Sequence, residues 1–124
     1  MKESESIRTI CEALSHIRIK RTMEEIQIQD EIESQFRGSG IPYQREIKVA
    51  PRFRLDFLVE DIAVEVKKRR PARGKLISQI ERYASLAIIK GVIIVLEKNT
   101  NIPKTICDKP VKIVSLNRLW GVAL

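Results

Sequence analysis

The chain is 124 residues long, 44% hydrophobic and 31% charged, with a formal net charge of +7, which suits one folded domain with a sizeable core and an attraction to polyanions. No run approaches the roughly 18 uninterrupted apolar residues of a membrane span, and "MKESESIRTI" lacks the apolar stretch of a secretory signal, so a cytoplasmic or other intracellular home without membrane contact is expected. Cys11 and Cys107 stand apart with no CxxC pair, which excludes a disulfide framework, a structural zinc site and an iron–sulfur cluster.

Ile7, Ile10, Cys11, Leu14 and Ile17 recur at helical spacing and predict a first amphipathic helix, an accessory element within residues 1–20. "TMEE" matches a capping box, with Thr22 as N-cap and Glu25 three residues on, opening a second helix that runs to about Phe36 before "RGSGIP" ends it. "YQREIKV" reads as a strand, Pro51 interrupts before "RFRLDFLV", and "IAVEVKKR" follows as the third strand. Pro71 and Gly74 mark a basic loop, after which "KLISQIERYASLAII" sets Leu76, Ile80, Tyr83, Ala84 and Ala87 on one helical face. "GVIIVLEK" is the continuous apolar run of a strand buried on both faces, "NTNIPKTICDKP" is a loop with room for a helical turn, and "VKIVSL" is a last strand. The order α-α-β-β-β-α-β-β predicts an α/β domain with a mixed sheet flanked by helices.

The segment "RLDFLVEDIAVEVKKRR" carries the chemistry. Phe53, Leu55, Phe57 and Val59 alternate along one strand and Ile62, Val64 and Val66 along the next, and these are the expected core faces. With Glu60 and Asp61 as a two-residue turn, Val59 faces Ile62, Phe57 faces Val64 and Leu55 faces Val66. The same register sets Asp56 directly opposite Glu65 and Arg54 opposite Lys67. Opposed carboxylates repel across a ladder unless a cation lies between them. All-oxygen ligands from Asp56 and Glu65, joined by the Val66 carbonyl and waters, suit Mg²⁺, with Mn²⁺ as substitute, better than zinc. Lys67 points to the same face, where an ammonium can orient water or offset charge on a phosphorane-like transition state. The same three residues also suit the solvated face of an amphipathic hairpin.

Past this hairpin, "KKRRPARGK" concentrates Lys68, Arg69, Arg70, Arg73 and Lys75 around a turn, a phosphate clamp that Arg54, Arg52 and Lys48 extend. His16 is the only histidine and has no partner motif, and no Ser/His/Asp set, P-loop or GxGxxG is present. Trp120, in the apolar "LNRLWGVAL", is read as a packing or subunit contact.

Asp56 on one strand, "EVK" on the next, an acidic helix before them and "QIERY" on the helix after them resemble the PD-(D/E)XK nuclease superfamily, in particular its small RecB-like, VRR-type and Holliday-junction-resolvase-like members. The resemblance runs from about Glu25 to Val95, although Leu55 rather than proline precedes Asp56. It implies a restriction-endonuclease-like fold, with residues 22–98 as catalytic core and 99–124 as a C-terminal loop and strand. It makes Asp56 and Glu65 metal ligands, Lys67 the catalytic lysine, and Gln79 and Tyr83 a QxxxY pair facing the site. Glu25 matches the acid that the first core helix adds, with Gln29 or Glu31 as alternatives. The expectation is a Mg²⁺-dependent endonuclease acting on DNA, structure-selective or sequence-tolerant because so small a domain has little surface for reading bases, acting as a homodimer and needing no small-molecule cofactor. The alternatives are a non-catalytic nucleic-acid-binding module that keeps the fold and, more distantly, a basic structural protein of a ribonucleoprotein.

Overall fold

The computed structural model describes residues 2–69 and 71–118. Arg70 of the expected phosphate clamp and Trp120 lie outside the described residues. The chain runs α1 (Lys2–Leu14), α2 (Glu25–Gly38), β1 (Gln44–Ala50), β2 (Phe53–Val59), β3 (Ile62–Lys67), α3 (Arg73–Ala84), β4 (Gly91–Leu96), β5 (Thr105–Ile106) and β6 (Lys109–Ser115), then a short 3₁₀ turn at Leu116–Arg118. The six strands form one open mixed sheet in the order β1-β2-β3-β4-β6-β5. β1, β2 and β3 make an antiparallel meander, while β3, β4 and β6 are parallel neighbours. Among the described residues, no helix is long and apolar enough to cross a membrane.

Both faces of the sheet are covered, which is what parallel central strands require. On one face Ile10 and Leu14 of α1 and Ile28, Ile32 and Phe36 of α2 pack on Phe57, Val59, Ile62, Val64, Val66, Ile93 and Val95. Phe36 and Phe57 meet edge to face with centroids 5.5 Å apart. On the other face Leu76, Ile80 and Ala84 of α3 pack on Leu55, Ala63, Val92, Ile94 and Leu96. A helix joining the adjacent parallel strands β3 and β4 must cross one face of the sheet, and α3 takes this one. The β4 run is buried throughout, as its unbroken apolar sequence predicts. A Cβ on Gly91 at its start would sit 2.9 Å from both Ile62 Cδ1 and Ile7 Cδ1, so a side chain-free residue lets α1 approach the sheet.

Four expectations are corrected. α1 ends at Leu14 rather than reaching Ile17. Beyond it "HIRIK" alternates, with Ile17 and Ile19 buried and His16, Arg18 and Lys20 exposed, so Ile17 joins the core from an irregular segment. The α2 capping box is not Thr22/Glu25. Glu24 is the N-cap, and Gln27 Oε1 accepts the Glu24 backbone N–H at 2.8 Å, because α2 starts two residues later than "TMEE" suggests. α3 stops at Ala84, with Ser85 as C-cap, and Ala87 is exposed. In place of a helical turn after β4, Thr105–Ile106 pairs with β6 as a two-residue strand.

The shifted cap is directly testable by chemical denaturation. Gln27→Ala should cost about 0.5–1 kcal/mol, whereas Thr22→Ala should fall within about 0.5 kcal/mol of the parent; equal losses would restore the earlier cap.

Candidate active site

The register deduced for the hairpin holds through its first three rungs: Val59 pairs with Ile62, Leu58 with Ala63 and Phe57 with Val64. Glu60 takes the left-handed conformation that the turn requires (φ 55°), in place of the glycine or asparagine such turns prefer. Below Phe57 and Val64 the ladder stops, and Asp56 and Glu65 are not a backbone pair. Instead the Asp56 N–H donates to Glu65 Oε2 at 2.7 Å, and the Val66 N–H donates to Asp56 Oδ2 at 2.8 Å. Each strand's backbone is held by a carboxylate of the other.

This exchange turns β2 over. Phe57 packs with α2, whereas Leu55 packs with α3, although residues two apart on a regular strand share a face. The expected single core face for Phe53, Leu55, Phe57 and Val59 is therefore corrected. β1 records the same event: its ladder with β2 passes from Arg45–Phe57 to Ile47–Leu55, skipping Glu46, whose φ is 51°. A non-glycine residue in that region costs of order 1 kcal/mol and persists where its surroundings impose it.

Glu65 is 3% exposed and Asp56 is half-buried. The hairpin face bearing them lies under α3, which removes the solvated-face alternative for Glu65. Burial, and then the Asp56 charge, push the Glu65 carboxyl up to about 8. Burial also raises Asp56, against the lowering effects of the Val66 N–H and the Lys67 ammonium. Lys67 thus acts on both acids. Arg54 is not its partner but forms an exposed ion pair with Glu46 at 3.5 Å.

From α3, the Tyr83 hydroxyl donates to Glu65 Oε1 at 3.3 Å, and burial followed by the Glu65 charge raises the phenol's pKa. Gln79 lies one helical turn earlier on the same side, and its Oε1 is a buried oxygen with no hydrogen-bond partner. Glu25 is exposed, not on the buried face of α2. Its charge nonetheless reaches Asp56, and its Oε2 accepts the Lys68 N–H at 3.0 Å. Of the alternatives, Gln29 is buried and taken by Arg45 at 3.2 Å, and Glu31 is half-buried.

In the basic stretch, Lys68 Nζ donates to the Arg21 carbonyl at 2.7 Å and Arg73 Nε to the Asn101 carbonyl at 2.6 Å, while Arg69 and Lys75 are exposed. Three residues near the pair were not singled out as site residues from sequence: Glu46, Phe53 and Arg82. Glu46 raises Asp56, Phe53 meets Tyr83 with centroids 6.5 Å apart, and the Arg82 guanidinium lies 5.0 Å from the Phe53 ring centroid. Arg82 adjoins Tyr83 and Phe53 opens the strand that carries Asp56, whereas Glu46 on β1 carried no such signal.

Chemically, each carboxylate spends one oxygen on the opposing backbone. That leaves Asp56 Oδ1, Glu65 Oε1, which also accepts the Tyr83 hydroxyl, and the Gln79 amide oxygen on the Tyr83 side of α3. Hard oxygen donors at two coupled carboxyl groups fit Mg²⁺ or Mn²⁺ once both are ionised. Among the described residues no group of three or more His, Cys, Asp or Glu side chains is gathered to hold a metal, and a two-carboxylate set suits an ion that keeps most of its waters. A separate cleft of about 540 Å³, lined by Ser6, Thr9, Ser39, Gly40, Val59 and Glu60 among others, contains none of these groups.

Fold and site together define an α/β domain whose mixed sheet carries a coupled acidic pair, Glu65 buried and Asp56 half-buried, flanked by lysine, tyrosine and glutamine. Comparison with family models, with curated proteins and with solved structures returned no match.

The Glu65 shift predicts how stability follows pH. Its carboxyl titrates near 4.5 when unfolded but near 8 when folded, so the folded chain binds the extra proton between those values. Its contribution is fully present below the lower value and is lost as pH rises through the upper one, with a slope of up to about 1.4 kcal/mol per pH unit. Urea unfolding in metal-free buffer between about pH 5 and about pH 8 should show this fall, and Glu65→Gln should flatten it. Stability that is level or rising for the parent over that window would contradict the assignment.

Proposed function

We propose that the chain is a metal-dependent nuclease of restriction-endonuclease-like fold that hydrolyses phosphodiester bonds of DNA. The observation that carries this is the Asp56–Glu65 exchange: two carboxyls forced together under α3, with the Lys67 charge acting on both. Burying such a pair costs stability and is expected where it serves a cation. The meander followed by a crossover helix, and the tethered basic stretch after β3, further support it.

Asp56, Glu65 and the Val66 carbonyl would hold Mg²⁺, with Mn²⁺ as substitute. When bound, the ion supplies Lewis acidity to the phosphate and makes water a better nucleophile at neutral pH. The remaining work falls to the chain. Lys67 holds the attacking water and offsets negative charge as the water oxygen bonds to phosphorus and the bridging P–O bond breaks. Tyr83 fixes Glu65 through its hydroxyl, and the Gln79 amide orients the substrate strand. Glu25 anchors the Lys68 backbone beside Arg69, and Lys75 is presented to phosphates from the first turn of α3. Those contacts give affinity without base specificity and a steep dependence on salt.

The test is a panel of labelled single-stranded, duplex, flap and four-way DNAs incubated with Mg²⁺ or Mn²⁺. Cleavage by the parent is expected, with Asp56→Ala and Lys67→Ala each losing at least about 100-fold in rate while keeping a cooperative unfolding transition. Binding without cleavage of any substrate would contradict the enzyme and leave a non-catalytic nucleic-acid-binding module.

A further inference from the structure

Phe53 opens β2 three residues before Asp56, and the turnover of β2 puts its ring on the α3 side, beside Tyr83. Since the Tyr83 hydroxyl donates to Glu65, an aromatic path leads from the acidic pair outward to Phe53. Arg82, exposed on α3, lays its guanidinium 5.0 Å from the Phe53 ring centroid. The result is a flat cationic group backed by a half-buried ring. The neighbouring end of the β1–β2 hairpin is cationic as well. Lys48 and Arg54, both exposed, are register partners across the ladder, and Arg52 sits in the connecting turn with φ 66°. Arg54 is only partly offset by its exposed ion pair with Glu46 at 3.5 Å, and like charges opposed on a ladder are relieved further by a polyanion laid across them.

We propose that Phe53 and Arg82 form a subsite for one unstacked nucleobase, beside the phosphate addressed by the acidic pair, so that the chain selects single-stranded DNA or nucleotides left unpaired at a branch. This rests on the nuclease reading for the identity of the neighbouring site. The selection follows from geometry. A base inside continuous duplex has both of its faces covered by neighbouring bases, so only an unpaired base can offer a face to a guanidinium or an aromatic ring. The Lys48, Arg52 and Arg54 charges then hold the sugar–phosphate chain leading to that base, whatever its sequence, because every base has a π-face.

Binding is measured without metal, so that cleavage plays no part, using oligonucleotides carrying 2-aminopurine. The parent should quench the probe in a single strand and bind that strand at least about tenfold more tightly than duplex of equal length. Arg82→Ala and Phe53→Ala should each weaken single-strand binding by about 5- to 100-fold and leave duplex binding within about twofold, while Phe53→Trp should retain both affinity and quenching. Arg82 is exposed, so its variant keeps the test decisive if Phe53→Ala fails to fold. Equal losses on both substrates, or no quenching by the parent, would overturn the subsite. If quenching and single-strand preference hold but no substrate is cut with metal present, the subsite stands and the nuclease reading falls.

Discussion

Antiparallel strands normally satisfy one another's backbone groups rung by rung, and β2–β3 does so only as far as Phe57 and Val64. Beyond that point the carboxylates of Asp56 and Glu65 accept the N–H groups that the ladder would have used. The rest of the site depends on this substitution. It turns β2 over, so that Leu55 and Phe53 face α3 instead of α2, and it coincides with the left-handed φ of Glu46 on the neighbouring strand. It also binds Asp56 to Glu65, which lies under the helix that carries Gln79 and Tyr83. Backbone donors to an ionised carboxylate are worth about 1.5–3 kcal/mol each, which offsets the burial of two charges only in part. Glu65 therefore keeps a proton near neutrality.

A second set of contacts holds the surroundings of that exchange in place. Arg45 bridges Asp30 and Glu33 at 2.9 Å and lies over the Phe57 ring, while Tyr43 donates to Glu33 at 2.7 Å. Exposed ion pairs contribute little individually, but this group shares the half-buried Glu33 and Tyr43 and fastens α2 to β1 and β2. At the other end of α2, capping by Glu24 and Gln27 leaves the Glu25 carboxylate to bind the Lys68 N–H. Lys68 also reaches the Arg21 carbonyl, and Arg73 the Asn101 carbonyl. Lys68 and Arg73 are thereby each tied to the body of the domain.

Much of this was legible in the sequence. The alternation of β2 and β3 disclosed the hairpin register, and the unbroken apolar run of β4 disclosed a central strand. Asp56, Glu65, Lys67, Gln79 and Tyr83 stood out as one group, and the structure gathers Asp56, Glu65, Lys67 and Tyr83 by contact or charge. The reversal at Asp56 was not legible, because strand periodicity assumes a continuous ladder and a side chain that replaces a rung leaves no periodic trace. Ile17 fits helical spacing and also alternates with Ile19, and packing decided between the two. The capping box slipped for a related reason: "TMEE" satisfies the pattern, but Gln27 can close on Glu24 equally well. The covering of Glu65 was available in principle, since α3 between parallel neighbours must cross one face of the sheet, and Glu65 shares its face with Ala63.

The central claim is that the Asp56–Glu65 pair is a cation site whose Glu65 carboxyl holds a proton until the ion binds. Titration of Mn²⁺ into the protein near neutral pH, repeated in buffers of different ionisation enthalpy, tests it most directly. A Glu65 carboxyl displaced to about 8 must give up its proton as the ion binds. The account predicts release of about one proton per ion near pH 7, fading above about pH 9 and absent in Glu65→Gln. Binding with no proton release, or binding undiminished in Asp56→Ala, would contradict it.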